Sequence, residues 1–186
     1  MSFYEVRARS IISRVPRQPA MPFRATINPY RGCGHACVYC FARGIHAYLG
    51  MDGGVDFDTR IVVKVNAPEL LARELATPRG TGEHIAMGTN VNCYQSAEGR
   101  NRLMPGIIAA LRDARNPSSI PTKGTLILRD LDLLAGASEV TPWAWRSRWD
   151  SPTGACPGWP SPARRTRTGD WRSARRSRAA DCAAGC

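Results

Sequence analysis

Through the first 140 residues the apolar positions change period repeatedly, and the changes mark out short strands and helices in turn. Residues 26–30 (TINPY) form an extended run that closes in a turn. Residues 57–65 (FDTRIVVKV) are dense in β-branched side chains and predict a strand or hairpin arm. Pro68 opens residues 67–76 (APELLARELA), where Leu70, Leu71, Ala72 and Leu75 recur at helical spacing behind a proline suited to a first turn. Residues 83–89 (EHIAMGT) predict a second short strand that stops at glycine, and residues 102–115 (RLMPGIIAALRDAR) an amphipathic helix with Ile107, Ile108 and Leu111 inward. Asn116-Pro117 ends that helix, because the residue before a proline is pushed out of the helical region. Residues 118–123 (SSIPTK) predict a third strand, weakened by Pro121, and residues 125–135 (TLILRDLDLLA) a further helix.

Strand, helix, strand, helix in this order predicts an α/β fold with parallel strands and helical crossovers. Loops at the carboxyl ends of such strands share one face. The segment RGCGHACVYC (residues 31–40) follows the first strand and GTNVNCYQ (residues 88–95) follows the second, so both are expected to open onto that face. Gly53-Gly54, between Asp52 and Val55, reads as a turn.

The pattern breaks near Thr141. Beyond Val140 there is no Leu, Ile, Val, Met, Phe, Tyr, Lys or Glu, while all five Trp fall there among Arg, Pro, Ser, Gly and Ala. Three regions result: an N-terminal extension (1–24), an α/β domain (25–141) and an Arg/Trp/Pro-rich tail (142–186), expected to be disordered and to supply no strand. The net charge of +11 looks like a nucleic-acid signal, but nine Arg against three Asp in the tail account for over half of it. The tail reads either as a basic arm that stacks bases on Trp or as residues with no selected fold, such as a shifted reading frame supplies. The sharpness of the boundary favours the latter. Residues 164–178 are expected to be cut readily by trypsin, leaving a core that ends near Arg129 or Arg146.

Seven Cys, at 33, 37, 40, 93, 156, 182 and 186, are odd in number and unevenly spaced, which argues against a disulfide framework. No uninterrupted apolar run near the N-terminus suits a signal peptide, and no stretch approaches the roughly 18 apolar residues of a membrane span. A cytoplasmic, reducing setting is therefore expected, in which clustered thiols mean metal or redox chemistry. Cys33, Cys37 and Cys40 have the spacing C-x3-C-x2-C, three thiolates in one compact loop. A zinc knuckle completed by His35, His46 or His84 is one reading of that spacing. An iron–sulfur centre is the other.

INPYRGCGHACVYCFAR, GTNVNCYQSAEGR and the TKG segment together resemble the radical S-adenosylmethionine (radical SAM) superfamily, and within it the spore photoproduct lyase-like group, from about residue 25 to about residue 140. The resemblance implies the N-terminal portion of a partial (βα) radical SAM barrel, truncated or frameshifted after about residue 140. It implies that Cys33, Cys37 and Cys40 ligate a [4Fe-4S] cluster whose open iron chelates S-adenosylmethionine, with reductive cleavage yielding a 5′-deoxyadenosyl radical. By the same resemblance Tyr39 lies near the adenine, and Thr89, Asn90 and Gln95 contact the methionine end. An external electron donor and, by analogy, a DNA substrate follow as partners, with no membrane. Asn92 and Cys93 stand where this group commonly has Asp and Pro; Cys93 itself reads as a small buried hydrophobe. The alternatives are an inactive fragment of such an enzyme and a zinc-stabilised nucleic-acid-binding module.

Overall fold

The computed structural model describes residues 1–16, 23–77 and 82–141, together with the backbone of 143–147. All of these belong to one compact unit, Met1–Arg148. Its strands are β1 (Ser2–Val6), β2 (Ile12–Arg14), β3 (Ala25–Ile27), β4 (Tyr30–Arg31), β5 (Arg60–Lys64), β6 (Ile85–Met87), β7 (Ser118–Thr122) and β8 (Trp143–Ser147). Its α-helices are α1 (Val55–Thr59), α2 (Ala67–Leu75), α3 (Ser96–Asn101), α4 (Leu103–Asp113) and α5 (Leu131–Val140), with 3-10 helices over Phe41–Leu49 and Thr125–Asp130. The fold is mixed α/β.

Two sheets form. The larger runs β2-β3-β6-β7-β8. Strands β3, β6, β7 and β8 are parallel, and β2 closes one edge antiparallel to β3. Every residue of β3 and of β6 is buried, as a parallel sheet covered on both faces requires. The smaller sheet runs β1-β5-β4, with β1 parallel and β4 antiparallel to β5. In β5 only Ile61 and Val63 are buried, the period-two signature of a strand with one face inward.

Helix α4 buries Leu103, Met104, Ile107, Ile108 and Leu111, the three-and-four spacing of a single apolar stripe. Each such side chain taken fully from water contributes about 1.5–3 kcal/mol. Helix α2 packs on α4, and Gly106 makes the close crossing possible: a Cβ there would stand 2.8 Å from the Pro68 ring.

Several expectations from the sequence are corrected. Residues 57–59 are helical, not extended; α1 carries Asp56 and Asp58 in its first turn, where carboxylates favour a helix N-terminus, and an Asp56–Arg60 ion pair at 3.1 Å. The helix expected over 125–135 is divided. Ile127 and Asp130 are buried three residues apart, the period of a 3-10 turn, before α5 begins at Leu131. The extension 1–24 contributes β1 and β2. Beyond Pro142 the chain does supply a strand: β8 pairs with β7 from Ser118 opposite Trp143 to Thr122 opposite Ser147. Aromatic residues fit a pleated strand as well as β-branched ones do, so the absence of Val and Ile after residue 140 did not preclude it. The remainder of the tail, and the disorder expected of it, lie outside the described residues. Among the described residues no helix is long and apolar enough to cross a membrane.

Candidate metal centre

The cysteine loop leaves the smaller sheet at β4 and is supported by α1, by the 3-10 helix that follows the loop, and by Gln95 and Lys123 from beyond β6 and β7 of the larger sheet. Gly32 adopts φ 77°, and a Cβ there would lie 2.8 Å from the Arg60 carbonyl, so only glycine lets the loop press against the α1–β5 junction. The Cys33 amide donates to the Phe57 carbonyl at 2.8 Å. Successive i to i+3 bonds, Ala36 to Cys33, Cys40 to Cys37 and Arg43 to Cys40, then wind the three thiols into consecutive turns. Ala36 accepts a positive φ of 51° to make the first of them.

Two side chains from outside hold this winding. Gln95 is wholly buried; its Oε1 accepts from the Gly34 amide and its Nε2 donates to the Gly32 carbonyl, both at 3.0 Å. Arg43 donates to the Cys37 carbonyl and to the Gly53 and Gly54 carbonyls, pairs with both Asp58 carboxylate oxygens, and lies 5.1 Å over the Phe57 ring. The Asp52–Gly54 turn that presents those carbonyls is closed by Asp52 Oδ1 accepting from the Gly54 amide at 2.6 Å. The turn expected at the glycine pair is therefore present.

Of the three thiols Cys33 is buried, and Cys37 and Cys40 are partly exposed. Burial pushes the Cys33 thiol up. Lys123, just past β7, donates to Cys37 Sγ at 2.6 Å, and that bond holds its ammonium up. His35 Nδ1 stands 3.6 Å from Cys33 Sγ, and burial, with Lys123 nearby, holds the imidazole down. His46 is buried against the edge of Phe57. Among the described residues no three of His, Cys, Asp or Glu are gathered closely enough to hold a metal ion. None of the described cysteines, Cys33, Cys37, Cys40 and Cys93, is in a disulfide.

The segment after β6 comes to the same loop. Gly88, at φ 70°, turns the chain out of the strand. Asn28, past β3, accepts from the Asn90 amide at 3.0 Å and donates to Thr89 Oγ1 at 3.4 Å. Asn92 Oδ1 accepts from Thr122 Oγ1 and from the Tyr94 amide, at 2.7 and 3.0 Å. Its amide oxygen serves where a carboxylate would. The two loops thus meet through Gln95, whose side chain, expected at the methionine end of a cofactor, is instead spent on the backbone of the cysteine loop, while Thr89 and Asn90 are held by Asn28. Tyr39 is 62% exposed at the rim, and Cys93 is fully buried beneath Gly88, its thiol pushed up by burial.

Behind these loops lies a network that sequence reasoning missed. Glu98, fully buried on α3, accepts from the Tyr30 hydroxyl at 2.5 Å, from the Leu103 and Met104 amides, and from Arg129 at 2.6 Å. A carboxylate at those two amides caps α4, whose preceding residue Arg102 offers no side-chain cap. The same anion ties β4, α3 and the 3-10 helix after β7 together. Burial, then Glu98, pushes the Tyr30 phenol up, so it stays a donor. Glu98 and Arg43 both stand within the motifs SAEGR and CFAR, but an ordinary acid or base in sequence carries no mark of its partners.

Comparison with known proteins places similar chains in two domains of life. The chain is 52% identical over 142 residues to an uncharacterized protein of Mycobacterium tuberculosis and to one of Mycobacterium bovis, covering 76% of this chain and 42% of each of theirs. It is 32% identical over 114 residues to an uncharacterized protein of Methanocaldococcus jannaschii, covering 61% and 40%. The chain thus spans less than half the length of these relatives. No family model matches it, and no solved structure does.

Proposed function

We propose that this chain is the N-terminal part of a radical SAM barrel, in which Cys33, Cys37 and Cys40 hold a [4Fe-4S] cluster. The observation that carries the reading is the C-x3-C-x2-C loop, wound with its thiols in consecutive turns beside the segment after β6. In kind the donors suit the cluster, since thiolates are the soft ligands it takes and three of them would leave one iron open; the described residues gather no ready metal set, so loading would draw the three thiols together. A cluster held there by Cys33, Cys37 and Cys40 would supply the electron for reductive cleavage of S-adenosylmethionine to methionine and a 5′-deoxyadenosyl radical.

The chain's own residues have separable tasks in this reading. Gln95 and Arg43 fix the backbone of the loop, so that the thiols are presented in one arrangement. Cys33 must give up a proton that burial retains, which makes loading easier as pH rises. Lys123 compensates negative charge at Cys37. Thr89 and Asn90 offer polar contacts to the methionine end and Tyr39 an aromatic surface to the adenine. DNA as substrate and an external electron donor as partner extend the proposal by the same resemblance.

Anaerobic reconstitution with iron and sulfide tests it. A brown protein with four iron and four sulfide per chain, whose reduced EPR spectrum changes on adding S-adenosylmethionine and which releases 5′-deoxyadenosine, is expected. A colourless protein that takes zinc in place of iron would sink the reading in favour of a zinc knuckle. A second reading, a fragment that loads the cluster without turning over, is favoured by the 42% of the relatives' length that the chain covers. It is marked by the EPR change without 5′-deoxyadenosine.

A further inference from the structure

A cavity of about 90 Å³ opens between the two sheets, immediately behind the cysteine loop, whose flanking residues Gly32 and Ala42 form part of its wall. At roughly 30 Å³ per water it has room for about three waters, the size of one tetrahedral oxyanion and too small for a nucleoside. Arg31 and Lys64 project from the smaller sheet into its lining, Ser13 and Thr26 from the larger, and His46 from the 3-10 helix; no Asp or Glu lines it.

The cations there are uncompensated. Among the described residues neither Arg31 nor Lys64 makes an ion pair. The acid nearest in effect to Lys64 is Glu74, whose two oxygens are already taken by the Ile11 and Ile12 amides at 3.0 Å. Burial first, and then Arg31, push the Lys64 ammonium down to about 8. His46 is 2% exposed, and its Nε2 has no hydrogen-bond partner. Asp52 and Asp56 lie near enough to His46 to attract its charged form, yet burial prevails and holds the imidazole down, leaving it a neutral donor or acceptor.

We propose that this cavity is an oxyanion site that takes one phosphate group, with the Arg31 guanidinium and the Lys64 ammonium as its charged donors. A guanidinium offers phosphate two parallel bonds, and the Lys64 ammonium a further one that it can turn toward a tetrahedral anion. The site goes beyond the proposed cofactor chemistry and does not require the cluster. It marks the position at which a phosphate-bearing substrate would be anchored next to the loop.

The test uses the full chain without metal, in chloride buffer. Inorganic phosphate is titrated by calorimetry, and thymidine 5′-monophosphate is titrated in parallel. Saturable binding at millimolar or lower concentration is expected, weakened at least tenfold by Lys64→Met and by Arg31→Gln and unchanged by Arg112→Gln on α4, outside the cavity lining. Arg31 is exposed, so its variant keeps the fold, which far-UV circular dichroism checks. Tighter binding of the monophosphate identifies an esterified phosphate as the ligand; equal binding identifies the free anion. No saturable binding of either, or binding that both variants leave intact, overturns the proposal. Because no iron is present, failure to load a cluster does not affect the outcome.

Discussion

Glu98 shows how much a single side chain holds. It is the common acceptor of a phenol, two helix amides and a guanidinium, with Arg129 in turn held by Asp130 at 2.8 Å. Glu98→Ala leaves those donors facing an apolar interior, and removing one partner of a buried charge pair costs about 3–5 kcal/mol. Urea denaturation should show a loss of that order; a loss under about 1 kcal/mol would mean that water replaces the carboxylate. Lys64 makes an opposite prediction. Its folded pKa, about 8, lies below the ordinary lysine value of 10.5, so the unfolded chain binds more protons between those values and stability rises with pH across that window. At and below neutral pH the charged ammonium is a penalty. Lys64→Met should therefore raise the melting temperature at pH 7, with a gain that shrinks as the pH passes 8. A gain independent of pH would assign the effect to packing.

At the scale of elements, the contact between α2 and α4 depends on Gly106. A Cβ there meets the Pro68 ring, part of a first turn that cannot yield without moving α2. Gly106→Val should cost about 1–3 kcal/mol as an overpacked crossing, and wild-type stability in the variant would show that the helices slide freely. Helix α2 also anchors the segment between β1 and β2. Glu74, near its C-terminus, accepts from the Ile11 and Ile12 amides, and Asn66, before its first residue, exchanges bonds with Ala8 at 2.8 and 2.9 Å. Glu74→Ala should expose those two amides to hydrogen exchange well before global unfolding. Unchanged protection would show that the larger sheet alone holds the segment.

For the whole molecule, the decisive feature is the strand after residue 142. Strand β7 carries the fully buried Ile120 and is covered along its outer edge by β8. A chain ending at Thr141 leaves that edge unpaired, which invites association through its free N–H and C=O groups. It should aggregate or melt well below a chain ending at Arg148; light scattering and thermal denaturation of the two compare them. Equal behaviour would show that β8 adds nothing. The same topology revises where trypsin should stop. Arg129 is held by Glu98 and Asp130, and Arg146 lies in β8, so neither is a favoured cutting point in the folded unit.

Helix α2, the stripe of α4, strands β6 and β7 and the turn at Gly53-Gly54 were all legible in the sequence. Each rests on interactions between near neighbours or on a period that burial imposes on a single element. Other features depend on residues distant in the chain. Nothing in FDTRIVVKV announces that its first residues turn helical under Arg43, or that its strand leaves the main sheet for β1. Nothing in SAEGR says that its glutamate will meet Tyr30 from 68 positions away, nor in TKG that the lysine will reach Cys37 from 86. The sequence by itself determined which groups the chain carries and where α2, α4, β6 and β7 lie, because those follow from local sterics and periodicity. Only the tertiary structure decided which charge meets which partner and which is left without one, because in a packed interior the cost of an unpaired group is settled by whatever the fold brings within three ångströms of it.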